Sequence, residues 1–242
     1  ITGASSGLGA HAARLYAGKG ARVTICARRT DRISELARAI SDEGGKAQAI
    51  ALDVTDSRAI DHAIETAQRD FGLTDTLINN AGVAGHDMIA DMDESEWDRI
   101  FDTNLKGAWL CARAVAKALI AANRGGIIVN IASVLGYVVQ RGTGPYAASK
   151  AGLIQLTKAM ALEWARNDIR VNAVAPGYFA TEMTDEFLAS AGGQKFLARV
   201  PMRRAGTMDD LSDVLLLLAG DGSRYMTGSV ITVDGGAALA SL

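Results

Sequence analysis

Six short runs rich in β-branched and other apolar residues punctuate the chain: Ala21–Cys26, Ala47–Val54, Thr76–Asn80, Gly126–Ser133, Arg170–Ala175 and Ser229–Val233. Between them lie stretches in which apolar residues recur at helical spacing: Leu8–Lys19, Thr30–Glu43, Ser57–Phe71, Glu94–Ala122, Tyr146–Asn167 and Met208–Ala219. The first set predicts strands and the second helices. Strands apolar at consecutive positions need cover on both faces, which is the environment of a parallel sheet between helices. Strict β-α alternation therefore predicts a doubly wound α/β fold, with a central parallel sheet and helices on both faces. The chain shows no repeat, low-complexity segment or linker, so residues 1–242 read as one domain.

The unusual residues fall at the carboxyl ends of the predicted strands. Arg28 follows one strand, Asp53 lies in the next, and Asn80-Ala81-Gly82, Ser133 and Pro176-Gly177 close three others. In open α/β sheets ligands bind outside this edge, so five separated segments are expected to converge there. A glycine-rich turn, Thr2-Gly3-Ala4-Ser5-Ser6-Gly7-Leu8-Gly9, should join them. Only Ile1 and Thr2 precede that turn, and the expectation is a further strand upstream.

Composition narrows the partners. Hydrophobic residues make up 49%, charged residues 21%, and the formal net charge is −2. That is a globular chain without the basic excess that would point to nucleic acid or a membrane surface. No apolar run approaches the ~18 residues of a membrane span. Two cysteines, Cys26 and Cys111, sit in apolar stretches and cannot form a disulfide framework. They suit a reducing compartment, so a cytoplasmic protein is expected. His11, His62 and His86 are scattered without metal-ligand spacing, and no metal is expected.

Three features carry candidate chemistry. Glycines in the first turn allow backbone to approach a pyrophosphate, the following helix offers free N–H groups, and Ser5 and Ser6 add hydroxyls. Such a loop also serves simply to turn the chain. In Tyr146-Ala147-Ala148-Ser149-Lys150 the phenol and the ammonium are four apart and share a helix face. A phenol of pKa about 10 is a poor base at neutral pH; a neighbouring ammonium lowers that value. Taken alone, the pair reads equally as an ordinary amphipathic face. Ser133, at a strand end, could hold a substrate oxygen against Tyr146 or simply turn the chain. Asn104 interrupts a helical stretch, as asparagines at kinks or water sites do.

Together these residues form a recognisable set. The sequence resembles the short-chain dehydrogenase/reductase family from Ile1 to about Gly236. The motifs are Thr2-Gly3-x3-Gly7-x-Gly9, Asn79-Asn80-Ala81-Gly82, Asn104, Ser133, Tyr146-x3-Lys150, Asn172-x3-Pro176-Gly177 and Asp234-Gly235-Gly236. The resemblance implies a Rossmann fold and an NAD(P)-dependent oxidoreductase. It implies Tyr146 as general acid in reduction and general base in oxidation. Lys150 would bind the nicotinamide ribose and lower the Tyr146 pKa, Ser133 would orient the substrate carbonyl, and Asn104 would hold a relay water. The cofactor would lie against Gly3, Ser5, Ser6, Gly7, Leu8, Gly9 and Arg28, with Asp53 and Val54 on the adenine. Asn80, Ala81 and Gly82 would line the groove, with Tyr146 and Lys150. Pro176, Gly177, Phe179 and Thr181 would border the nicotinamide.

Rival readings are a catalytically silent cofactor-binding or scaffold relative, which should have lost Ser133, Tyr146 or Lys150, and an enoyl reductase, which would space its tyrosine and lysine more widely. Both give way to a carbonyl reductase or alcohol dehydrogenase. Residues 178–206 should form a substrate lid. Val134, Leu135, Val138 and Val139, with Tyr178, Phe179 and Met183, suggest an uncharged substrate or an apolar substrate face, Gln140 and Arg141 being the exceptions. Alanine-rich faces on the two longest helices suggest an interface, and similar proteins often form tetramers, so a homotetramer is expected, with a dimer as the second choice. NADP(H) is favoured over NAD(H). Ala27 stands where an NAD enzyme places an acid at the end of the second strand, and Arg28 and Arg29 follow. Ser6 stands where NADP-binding relatives often carry a basic residue.

Overall fold

The structure is a computed structural model that describes residues 1–240; the last two residues of the predicted domain fall outside that range. Strands β1 (Arg22–Ala27), β2 (Lys46–Ala51), β3 (Thr76–Asn79), β4 (Gly126–Ile131), β5 (Ile169–Pro176) and β6 (Val230–Val233) are all parallel to their neighbours. β1 pairs with β2, and β3, β4, β5 and β6 form a second ribbon in that order. Ile1 and Thr2 join the two. The Ile1 carbonyl accepts from Cys26 N–H at 2.9 Å, and Thr2 N–H donates to the Ile78 carbonyl at 3.0 Å. The spatial order is therefore β2, β1, residues 1–2, β3, β4, β5, β6. The winding direction reverses beside residues 1–2, and that reversal opens the crevice used by ligands in such sheets.

Both faces of the sheet are covered. α1 (Gly7–Gly18), α2 (Thr30–Asp42) and α9 (Ser212–Ala219) pack Ala12, Ala13, Ile33, Leu36, Leu215 and Leu218 on one face, against Val23, Ile25, Ile78, Val129 and Val174. α3 (Ser57–Phe71), α5 (Ala108–Ala121) and α6 (Gly144–Trp164) bring Ile60, Ala63, Leu110, Val115, Leu119 and Met160 to the other, against Leu77, Ile128 and Val171. Successive residues such as Leu77 and Ile78 point to opposite faces and both meet helices. This is why the strands are apolar without alternation. Local chemistry sets the ends of α3: the Asp56 carboxylate caps it by accepting from Arg58 and Ala59 N–H, and Gly72, at φ 86°, ends it.

The single helix expected over Glu94–Ala122 is instead α4 (Glu94–Phe101), a π-helical turn at Asp102–Gly107, and α5. The Asn104 side chain lies in that turn and pairs with the Val83 backbone on both hands, accepting from its N–H at 2.8 Å and donating to its carbonyl at 2.9 Å. A one-residue widening of the helix lets a buried carboxamide reach a neighbouring loop without losing its own backbone bonds. The strand expected over Ala47–Val54 ends at Ala51, because Asp53 turns the chain by accepting from the Thr55 N–H and hydroxyl. The strand expected to reach Ser133 ends at Ile131, because Ser133 caps the short 3₁₀ turn Val134–Gly136. Residues 178–206 form an excursion carrying α7 (Asp185–Ala189) and α8 (Ala191–Leu197). Its base is closed by Gly206 N–H donating to the Tyr178 carbonyl at 2.8 Å.

Candidate active site and cofactor cleft

A cavity of about 650 Å³ opens along the carboxyl edge of the sheet. Its wall includes the expected Gly3, Ser5, Ser6, Gly7, Leu8, Arg28, Asp53, Val54, Asn80, Ala81, Gly82, Ser133, Tyr146, Lys150, Pro176, Gly177, Phe179 and Thr181. Gly9 and Asn104 are set behind the wall. A Cβ on Gly9 would lie 2.5 Å from Asn80 Nδ2 and 2.7 Å from the Gly3 carbonyl, so this glycine serves the close packing of turn and helix. The wall also includes residues the sequence reading did not single out: Val83, Ala84, Arg99, Thr103, Ile131, Ala132, Glu182, Thr184 and Met208. Most sit one or two positions from a motif residue; Arg99 and Met208 carried no local signal.

At the glycine-rich end, Thr2 is buried and its hydroxyl accepts from the N–H groups of Asn80 and Ala81 at 3.0 and 3.1 Å. The Asn80 amide donates to the Thr2 and Gly3 carbonyls, both at 3.0 Å. These bonds lock the first turn to the end of β3. Ser6 precedes α1 but does not cap it with its side chain. The first-turn N–H groups of α1 thus keep their capacity for an anion. The Arg29 guanidinium donates to Ser5 Oγ at 2.9 Å and to Ser6 Oγ at 2.6 Å, which brings a cation over the very serine that stands where NADP-binding relatives carry one. Arg28 lies 3.9 Å from the Asp53 carboxylate and is largely exposed. Burial raises the Asp53 pKa, but the Thr55 hydrogen bonds and the Arg28 charge outweigh it and hold the carboxyl below its usual range.

Further along the edge, the first turns of α6 carry Tyr146 and Lys150. Ser149 Oγ donates to the Tyr146 carbonyl at 2.7 Å and accepts from Asn104 Nδ2 at 3.1 Å. The π turn and the start of α6 are thereby tied together under the tyrosine. Ser149 is a positioning residue that the sequence reading passed over, although it lies inside the quoted motif. Lys150 is buried, and its Nζ donates to the Ile131 carbonyl at 2.8 Å. Burial pushes the Lys150 pKa down to about 8.

The Tyr146 phenol differs from expectation. Burial pushes its pKa up, with the Ser133 hydroxyl pulling the other way. The Lys150 ammonium lies 5.7 Å from the phenol ring centre and spends a donor on the Ile131 carbonyl. Among the protein's own groups, desolvation therefore outweighs the lysine. Other motif residues hold the fold together. Asn172 bonds the Met226 carbonyl and the Ser229 N–H, and Asp234 accepts from the Gly236 and Ala238 N–H groups.

The residues present fit a dinucleotide. The cavity is the size of a small-molecule site. Ala27, at the end of β1, and Ser133, just past β4, are separated by three strand spacings, or about 14 Å. An elongated ligand is needed to touch both ends.

Residues 3–238 match the family model described as enoyl-(acyl carrier protein) reductase. The chain is 39% identical to the 3-oxoacyl-(acyl-carrier-protein) reductase of Thermotoga maritima, over 98% of this chain and 95% of that one. It is 36% identical to the gluconate 5-dehydrogenase of Gluconobacter oxydans, over 98% and 92%. Among solved structures, a gluconate 5-dehydrogenase from Burkholderia cenocepacia in complex with NADP and tartrate superposes with a TM-score of 0.95 at 34% identity, covering 99% of this chain and 94% of that one. The chain belongs to the short-chain dehydrogenase/reductase family. It is an NAD(P)-dependent oxidoreductase that transfers a hydride between the nicotinamide cofactor and a carbonyl or alcohol carbon.

Proposed function

We propose that this enzyme is an NADP(H)-preferring carbonyl reductase or alcohol dehydrogenase in which Tyr146 moves the proton at the substrate oxygen. The observation that carries this reading is the placement of Ser133, Tyr146 and Lys150 on the wall of the same cavity as Ser5, Ser6, Arg28 and Arg29. The bound nicotinamide would supply or accept the hydride. Ser133 Oγ would donate to the substrate oxygen and fix it beside Tyr146 Oη. In reduction Tyr146 gives its proton to that oxygen; in oxidation it takes one. Lys150 Nζ would grip the ribose and, with the cofactor's positive ring, offset the desolvation that raises the phenol pKa. Asn104 would hold the first turns of α6 in place through Ser149 and the loop at Val83, with its turn as the seat of the relay water.

The four-residue step from Tyr146 to Lys150, and relatives named for carbonyl and alcohol chemistry, favour this over reduction of an enoyl double bond. NADP(H) is supported by Ala27 in place of an acid, by two guanidiniums at the cleft, and by the NADP held by a structural neighbour. With one carbonyl substrate, kcat/KM should be clearly higher for NADPH than for NADH, and Arg28→Ala should shrink that preference. A wild type favouring NADH, or a variant with unchanged preference, would refute it.

Residues 178–206 would serve as the lid. Within it Tyr178, Phe187 and Phe196 cluster, with ring centres 4.4 to 5.8 Å apart, and the Tyr178 hydroxyl donates to Gln140. Met183 is on the cavity wall, but Val134 and Leu135 are buried in the core. An apolar substrate face would therefore meet Phe179 and Met183 of the lid and not the start of the 134–143 loop. Ile120, Trp109 and Leu162 expose apolar side chains on α5 and α6, Leu162 at 84%. These would be covered in a homotetramer. Among the described residues no helix is long and apolar enough to cross a membrane, and two buried thiols suit a cytoplasmic enzyme.

A further inference from the structure

Glu182, in the excursion over the cleft, meets two guanidiniums. Its Oε2 accepts from Arg29 Nη1 at 2.9 Å, and its Oε1 accepts from Arg32 Nη1. Each of the three Arg29 nitrogens makes one bond, Nε and Nη2 to Ser5 and Ser6 and Nη1 to the carboxylate. These five residues come from three separate segments: the glycine-rich turn, the start of α2, and residue 182. Ser5, Ser6, Arg28, Arg29 and Glu182 all lie on the wall of the same cavity.

We propose that Glu182 is a specificity-determining residue that competes with the cofactor's 2′-phosphate for Arg29 and Arg32. This rests on the NADP(H) reading above. The chemistry is direct. A carboxylate and a phosphate monoester offer a guanidinium the same pair of acceptor oxygens. A phosphate brought to Arg29 meets that carboxylate as a like charge on the same guanidinium. The carboxylate carries one charge, and its pairs are about half exposed, Arg29 at 45% and Glu182 at 54%. Exposed pairs of this kind are weak. A phosphate bearing nearly two charges wins the contest, but its affinity is reduced by the work of displacing Glu182. A cofactor without that phosphate does not disturb the pair and is not penalised. Glu182 thus narrows the gap between NADPH and NADH. It also ties the 178–206 excursion to α2 until a 2′-phosphate takes its place.

The test is binding to the cofactor-free protein, measured calorimetrically with 2′,5′-ADP and with 5′-AMP. Glu182→Gln keeps the shape and removes the charge. It should tighten 2′,5′-ADP about three- to fivefold, the upper scale of removing one exposed competing ion pair. 5′-AMP should stay within about twofold. Glu186→Gln, an exposed carboxylate of the same segment, controls for general charge and should shift neither ligand. The proposal is overturned if Glu182→Gln weakens 2′,5′-ADP, leaves it unchanged, tightens both ligands alike, or is matched by Glu186→Gln. The wild-type ratio judges a different claim: no preference for 2′,5′-ADP would count against the NADP(H) reading, whereas the change on substitution judges Glu182.

Discussion

Tyr146→Phe is expected to lower kcat at least about a hundredfold, the range of lost general acid–base catalysis, while cofactor dissociation constants stay close to wild type. The substitution deletes one oxygen and keeps the ring. Lys150 retains its bond to the Ile131 carbonyl, and Ser149 still reaches the residue-146 carbonyl, because that bond uses backbone. The first turns of α6 should therefore hold their position. What disappears is the phenol that, in the proposed mechanism, passes a proton to the substrate oxygen and recovers it. Ser133 can donate a hydrogen bond, but a serine hydroxyl left to itself is a far weaker acid than a phenol. Steady-state kinetics with the best carbonyl substrate, and cofactor titration by fluorescence, separate the two effects. Turnover near the wild-type rate would remove Tyr146 from the mechanism.

Gly3→Ala should be the most damaging small substitution in the cofactor cleft. Gly3 has φ 63°, and an added Cβ would lie 2.6 Å from Ala81 Cα and 2.9 Å from Ala81 N. Both obstacles are backbone and cannot rotate away. The left-handed conformation costs an alanine about 1–2 kcal/mol, and forcing the overlap apart costs roughly 1–3 kcal/mol more. Together these lower Tm by roughly 10 °C in a chain of this size. The same shift would part the first turn from the end of β3, where the Thr2 hydroxyl joins them, so cofactor binding should weaken as well. Gly20→Ala is the natural comparison: φ is 89° there, but an added Cβ would meet nothing within 4 Å. It should show the backbone cost alone. Equal Tm shifts for the two variants, read by calorimetry, would mean that the close approach at Ala81 has no energetic weight.

How far the site could be read beforehand depends on the kind of signal. Strand ends that follow from periodicity put Arg28, Asp53, Asn80-Ala81-Gly82, Ser133 and Pro176-Gly177 on one edge, whereas Tyr146 and Lys150 join them only through the family resemblance. Asn104 is legible as an interruption of the helix, which the π turn bears out, but its bond to Ser149, which joins that turn to α6, is not. That is a hydrogen bond between segments 45 residues apart, and local pattern holds no record of it. The balance at Tyr146, where burial raises the phenol pKa among the protein's own groups, is hidden for a similar reason. Four-residue spacing shows that a lysine shares the tyrosine's face. It does not show that the ammonium is already bonded to a strand carbonyl, or how much water has been excluded.

Arg29 and Glu182 make the same point at the other end of the cleft. Two arginines after β1 were visible as a cationic signal for a phosphate. That the second of them lies over Ser6, and that a carboxylate about 150 residues later pairs with it, depends on how the 178–206 excursion folds back. By itself the amino-acid order determined the alternation of strand and helix, the cover on both faces of the sheet, and the residue types delivered to its carboxyl edge. These follow from periods of two and 3.6 residues and from which side chains avoid water. Tertiary structure alone decided which polar groups meet, which charges are already paired, and which glycines stand where a methyl group would strike another backbone. Such matters depend on distances of a few ångströms between segments remote in sequence, where packing and desolvation, and not periodicity, set the energies.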